Sequence, residues 1–245
     1  PHLYLDCLTV SGKTLGEEIE DAKVSKARKV IRISSDPIYP VGGLAILRGN
    51  LAPRGAVIKH SAASPDLLKH RGRAVVFSSL EDLALRIDSP DLDVNADDIL
   101  VLQNAGPKGA PGMPEAGYLP IPKKLAQAGV KDMVRISDAR MSGTAFGTIV
   151  LHITPESAEN SPLAVVRNGD MIVLDVSQRL LHLEVDDAEI RKRIDALASP
   201  AERLAIPESG YRRLYQTTVT QADIGCDFDF MVPSMTGTAP VLKGR

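Results

Sequence analysis

Asp98-Ile99-Leu100-Val101-Leu102-Gln103, Met133-Val134-Arg135-Ile136 and Gly147-Thr148-Ile149-Val150-Leu151-His152-Ile153 decide the fold class of this chain. Each is a short apolar run rich in β-branched residues, the mark of a buried strand; a helix needs about 10 or more residues at a 3.6-residue spacing. A polar loop follows each of the first two runs, and a short amphipathic stretch, 122–128, lies between them, opened by Pro122 and closed by Gly129. Working outward, similar runs occur at Val30–Ile33, Gly43–Arg48, Ala56–Lys59, Arg73–Ser78, Met171–Val176 and Leu180–Val185. Ser177-Gln178-Arg179 reads as a hairpin connection between the last two. Alternation along 171–176 is weak, so that strand is expected to be buried on both sides over most of its length.

Helices are fewer. Thr14 with Glu17 three residues on is a capping box for a helix through Asp21, and Ser79 with Asp82 repeats the logic before Leu80, Leu83, Ala84 and Ile87. Ile190, Ile194 and Leu197 give Asp186–Leu197 a helical stripe, and Tyr211–Val219 reads as a terminal helix. The expected fold is therefore α+β and strand-rich: a closed or nearly closed β-barrel-like core with flanking helices. Residues 1–42 read as a lead-in with a short helix, 43–198 as the barrel-like domain, and 199–245, with Pro200 and Pro207, as a linker and tail.

Among the 245 residues, 29 Lys and Arg face 31 Asp and Glu, which excludes a nucleic-acid binder that works by bulk charge. A content of 44% apolar and 24% charged residues excludes wholesale disorder. No apolar run approaches the ~18 residues of a membrane helix. With 4% aromatics and no Trp, the core must be aliphatic. Cys7 and Cys226 make no disulfide framework and point to a reducing, cytoplasmic compartment. The chain opens Pro1-His2-Leu3, without an initiating Met or a basic-then-apolar signal segment, and is expected to be processed or a piece of something longer.

Two loops stand out. Asn104-Ala105-Gly106-Pro107-Lys108-Gly109-Ala110-Pro111-Gly112-Met113-Pro114-Glu115 follows the first strand directly. Its glycines allow close approach to a ligand or positive φ, and its prolines stiffen it. Glu115, its one acid, is a reasonable ligand for a hard cation; the competing reading is a surface loop with a solvated acid. The stretch lacks the endings of a P-loop or a dinucleotide site. Ser137-Asp138-Ala139-Arg140-Met141-Ser142-Gly143-Thr144 follows the second strand. Such a cluster can place a hydroxyl in a pocket, where a neighbouring base, cation or backbone amide activates it; alternatively Ser142 only caps a turn. The five histidines show no ligand spacing, and the cysteines no CxxC.

Taken together, four segments resemble the dihydroxy-acid and sugar-acid dehydratase family: Asp6–Glu17 its linker motif, Gly42–Pro53 its GGLAxLxGNLAP stretch, Gly106–Glu115 its GPxGxPGMPE loop and Ser137–Thr144 its active-site serine segment. Gly225-Cys226-Asp227-Phe228-Asp229-Phe230 looks more like the sugar-acid branch than the branched-chain amino-acid branch. The resemblance implies the C-terminal half of a longer enzyme, with a β-barrel-like domain similar to the swivelling domain of aconitase-like enzymes. It implies a hydro-lyase that dehydrates a sugar acid to a 2-keto-3-deoxy acid, and a homo-oligomer. Ser142 matches the family's catalytic base, Thr144 lies beside it in support, and Glu115 matches the magnesium ligand of this half. The other Mg2+ ligands and those of a [2Fe-2S] cluster are expected in an N-terminal domain. Asp138 and Arg140 match the serine segment without an assigned role. A stand-alone, non-catalytic β-barrel binding module, a structural or oligomerisation domain, and a dihydroxy-acid dehydratase of branched-chain synthesis remain as alternatives.

Overall fold

A computed structural model describes residues 3–23, 30–117, 119–140 and 146–231. They form two compact units, 1–42 and 43–245.

In the first unit, helix α1 (Leu15–Ile19) starts at the expected capping box: the Glu17 amide donates to Thr14 Oγ1 at 3.2 Å and the Thr14 amide to Glu17 Oε2 at 2.7 Å. The helix ends two residues short of Asp21. Val30–Ile33 is not a strand. Val30 lies in a turn and Ile31 in a bend, with Val30, Ile31 and Ile33 exposed, and no ladder pairs with them among the described residues.

The second unit is built on a closed eight-stranded barrel, as expected. Its strands are β1 (Ala45–Gly49), β2 (Ala52–Ile58), β3 (Lys69–Phe77), β4 (Ile99–Leu102), β5 (Arg135–Ser137), β6 (Ile149–Thr154), β7 (Met171–Asp175) and β8 (Leu180–Leu183). They close in the order β1-β2-β6-β5-β4-β3-β7-β8. β3, β4, β5 and β6 run parallel to their neighbours in that order, and the remaining pairs are antiparallel except β1 with β8.

The two kinds of pairing bury side chains differently. All four residues of β4 are buried: Ile99 and Val101 face the barrel interior with Leu47, Ile58, Ile136 and Leu174, whereas Leu100 and Leu102 join an outer cluster with Phe77, Leu83, Leu119 and Met133. Helix α2 (Leu80–Arg86) covers that outer face with Leu83, and Leu125 of α3 (Lys123–Gln127) packs against it. β7 is a correction to the expectation of burial on both sides. Ile172 and Leu174 are buried, while Met171 and Val173 are only half-buried, as in antiparallel strands with one face toward solvent.

Barrel closure explains part of the Gly42–Pro53 stretch. β1 meets β8 at one residue pair, Arg48 with Leu180. Beyond it the chain approaches so closely that a Cβ on Gly49 would lie 2.0 Å from the Leu181 carbonyl oxygen. Asn50 then stands in for a strand backbone: its Nδ2 donates to the Leu183 carbonyl at 2.8 Å, and the Leu183 amide donates to its Oδ1 at 2.7 Å. Gly49 and Asn50 are thus the seam of the barrel.

After β8 come α4 (Asp187–Asp195), α5 (Pro200–Leu204) and α6 (Gly210–Thr218). α5 lies where the prolines suggest a linker. Ser199 and Glu202 form a capping box, and Pro200 sits in the first turn, where its missing N–H costs nothing. No described helix is long and apolar enough to cross a membrane.

Candidate functional site

The C-terminal ends of β3, β4, β5 and β6 open at one end of the barrel, because the four strands are parallel. Two loops singled out in the sequence leave from there. The register pairs Leu100 with Arg135 and Leu102 with Ser137, so residues 104–117 and the segment opening at Asp138 start side by side. Open parallel sheets commonly place ligands beyond such strand ends.

Two buried carboxylates, neither singled out for a role in the sequence, hold this end together. Asp138 stands directly after β5. Its Oδ1 accepts the Ala105 amide at 2.9 Å and its Oδ2 the Ser157 amide at 2.8 Å, joining the segments that follow β4, β5 and β6. Burial pushes its carboxyl above the usual range, against the pull of those amides. Glu156, two residues beyond β6, is buried as well. It accepts the Lys108 amide at 3.0 Å to each oxygen, the Gly109 amide at 3.0 Å and Gln221 Nε2 at 2.6 Å. Burial first, and then the charge of Asp138, push its carboxyl up to about 7.

The glycines of the loop serve this packing. A Cβ on Gly106 would come within 2.7 Å of Glu156 Oε2, and one on Gly109 within 2.9 Å of the Asn104 carbonyl oxygen. Gly112 has φ +85°. The close approach foreseen for a ligand is thus, at two of the three positions, an approach to the protein's own atoms.

The outer arm of the loop leans on Arg140. Its Nε donates to the Met113 carbonyl, its Nη1 to Glu115 Oε1 at 3.3 Å, and its carbonyl accepts the Gly117 amide at 2.9 Å. Glu115 remains open to solvent, its side chain 50% exposed. Ser142 and Thr144 lie outside the described residues; Arg140, two positions before Ser142, is the last described residue of that segment.

A carboxylate at 50% exposure is an available hard-oxygen donor, so Glu115 fits a magnesium ligand, but as a single one. Among the described residues no group of three or more His, Cys, Asp or Glu could hold a metal ion. The two cysteines do not fit a cluster. Cys7 is exposed in the first unit. Cys226 is half-buried with its Sγ 3.7 Å from Met113 Sδ, and burial pushes its thiol up, away from the thiolate a ligand needs.

The roles of Asp138 and Glu156 leave faint traces in sequence. Asp138 was visible as an acid at a strand end; Glu156 had no signal, because its partners lie 47 to 65 residues away.

Most of the chain is similar to known proteins. L-arabonate dehydratase of Azospirillum brasilense is 52% identical over 238 residues, 96% of this chain and 41% of that protein. 6-Deoxy-6-sulfo-D-gluconate dehydratase of Pseudomonas putida is 48% identical over 94% of this chain and 40% of its own length. Dihydroxy-acid dehydratase of Acetivibrio thermocellus is 42% identical over 91% and 39%. The chain spans about two fifths of the length of these relatives. The family model described as dihydroxy-acid/6-phosphogluconate dehydratase C-terminal matches residues 29–226, from before β1 to the Cys226 that touches the loop, and the chain belongs to that family.

Proposed function

We propose that this chain is the C-terminal catalytic part of a hydro-lyase that dehydrates a sugar acid, a 2,3-dihydroxy acid, to a 2-keto-3-deoxy acid. The observation that carries the reading is the departure of the Glu115 loop and of the segment opening at Asp138 from paired parallel strands at one barrel end. Identities of 48–52% to two sugar-acid dehydratases, against 42% to a dihydroxy-acid dehydratase, favour the sugar-acid substrate over the branched-chain alternative.

In this reading Ser142, as alkoxide, takes the proton from C2. The C2–H electrons form the C2=C3 bond as the C3–O bond breaks, the proton and the 3-hydroxyl together making up the water that is lost. The resulting enol tautomerises to the 2-keto acid. A serine hydroxyl titrates far above neutrality, so the site must stabilise its alkoxide. Thr144, two residues on, supports it. Glu115 would be one ligand of a magnesium ion, which when bound would supply positive charge that acidifies the C2 proton and stabilises the enolate-like charge. The remaining magnesium ligands and the whole [2Fe-2S] cluster come from an N-terminal domain of the same enzyme, a cytoplasmic homo-oligomer.

Ser142→Ala in the full-length enzyme tests this. Turnover falls at least ~10²-fold, the lower range for loss of a general base, while the thermal midpoint of the same metal-loaded sample is unchanged. A serine that only caps a turn gives the reverse: lower stability with turnover kept.

A further inference from the structure

We propose that Glu156 is a positioning residue for Glu115: it clasps the 106–109 turn to the end of β6 and so sets where the arm carrying Glu115 stands. The inference rests on the reading of Glu115 as a magnesium ligand.

The loop is a lever with two attachments. Arg140 braces its outer arm at Met113 and Glu115 from a side chain that is itself 45% exposed, and at Gly117 through its backbone carbonyl. The inner attachment is buried and many-sided. Two consecutive backbone amides, Lys108 and Gly109, point at one Glu156 carboxyl, and Gly106 omits the Cβ that would strike it. Glu156 is in turn gripped by Gln221 at both ends, since its own amide donates to Gln221 Oε1 at 2.9 Å while Gln221 Nε2 donates to its Oε1 at 2.6 Å. Gln216 Nε2 reaches the Lys108 carbonyl at 3.2 Å from α6. Lys108 Nζ pairs with Glu159, so the turn is tied to the post-β6 segment by its side chain too.

A surface loop needs no such apparatus. Burying a carboxyl is costly, and here it is spent on amides six to seven residues before Glu115. With Pro111 and Pro114 stiffening the path from Lys108 to Glu115, and the Met113 amide donating to the Ala110 carbonyl at 2.8 Å, a displacement at Lys108 is passed along to Glu115 rather than absorbed. Partners that orient a metal ligand without touching the metal typically change its affinity ~10–100-fold when removed.

The test uses the full-length protein with Mn2+ as the probe, its binding followed by the paramagnetic signal of the free ion, beside hydrogen exchange of the Lys108 and Gly109 amides. Glu156→Ala is expected to speed exchange at both amides and weaken Mn2+ binding ~10–100-fold. Glu156→Gln keeps an acceptor oxygen for the two amides and holds binding within ~3-fold, whereas Glu156→Met, which fills similar space without an acceptor oxygen, weakens Mn2+ as Glu156→Ala does, an outcome that a merely space-filling role does not produce. Gly106→Ala attacks the contact from the loop side, weakens Mn2+ in the same way, and answers the question if Glu156→Ala does not fold. Wild-type Mn2+ affinity in Glu156→Ala or Gly106→Ala, with the amides released, overturns the proposal. A Glu115→Ala variant that binds Mn2+ as tightly as wild type instead removes the reading of Glu115 on which it rests.

Discussion

The parallel and antiparallel halves of the barrel spend charge in opposite ways. Around β4, β5 and β6 both faces of the sheet are covered, and carboxylates sit buried at the strand ends, satisfied by amides of neighbouring loops: Asp138 by Ala105 and Ser157, Glu156 by Lys108 and Gly109. Around β7, β8 and the end of β3 that pairs with β7 the outer face is less covered, and charges there form exposed pairs such as Arg71 with Glu184. A buried carboxylate must be satisfied in one geometry, whereas a solvated one tolerates many. The half that buries its acids thereby fixes its loops, and these are the loops to which the chemistry is assigned.

The largest expected contrast is catalytic. Removing a hydroxyl in the parallel half, Ser142→Ala, costs the full-length enzyme at least ~10²-fold in turnover. Removing one in the antiparallel half, Ser177→Ala, where Oγ donates to Asp175 Oδ1 at 2.6 Å, leaves turnover within about twofold by the same assay. Equal losses would erase the division of labour.

Packing sharpens the comparison next. Leu102 is fully buried against the outer cluster, and Leu102→Ala is expected to lose ~2–5 kcal/mol in denaturant unfolding. Val173 stands on the open face of β7, and Val173→Ala loses under ~1 kcal/mol. A comparable loss at both sites would mean that the outer face of β7 is covered after all.

The third contrast is in pH. Glu156 has a folded pKa of about 7 against an ordinary 4.5, so the native state holds its proton longer than the unfolded chain does. Its contribution is therefore most favourable below about 4.5 and is lost as pH rises toward 7. Asp138, Cys226 and Tyr215 are among the titratable groups that interact with it. Glu156→Gln removes this slope, and its stability relative to wild type should improve by on the order of 3 kcal/mol between acid and pH 8. A flat difference across that range would show that the carboxyl is not held by burial. The smallest effect belongs to the antiparallel half: Arg71→Ala, which breaks an exposed pair with Glu184, leaves the melting temperature unchanged within error at any of these pH values.

Local chemistry was enough for much of this architecture. The apolar run at 98–103 holds β4 and the run at 133–136 opens into β5, which starts two residues later than its first apolar residue, and Thr14 with Glu17 begins a helix because the two side chains close on each other's amides. The glycine–proline loop and the Ser137–Thr144 segment were legible as places where chemistry gathers, since their composition is wrong for a core. Val30–Ile33 has the same local signature as a strand and is none, because a strand needs a partner, and partners are supplied by topology. Arg135 sits inside an apolar run and is buried, with Asp132 at 2.8 Å and the Leu119 carbonyl at 2.9 Å among the partners that the fold supplies. The closure of β1 on β8 through Gly49 and Asn50 joins residues 133 positions apart. The clasp of Glu156 on Lys108 and Gly109 spans nearly 50. Periodicity and capping act over a few residues and are written in order along the chain; the satisfaction of a buried polar group depends on whatever the fold carries to it, and that only the tertiary structure decided.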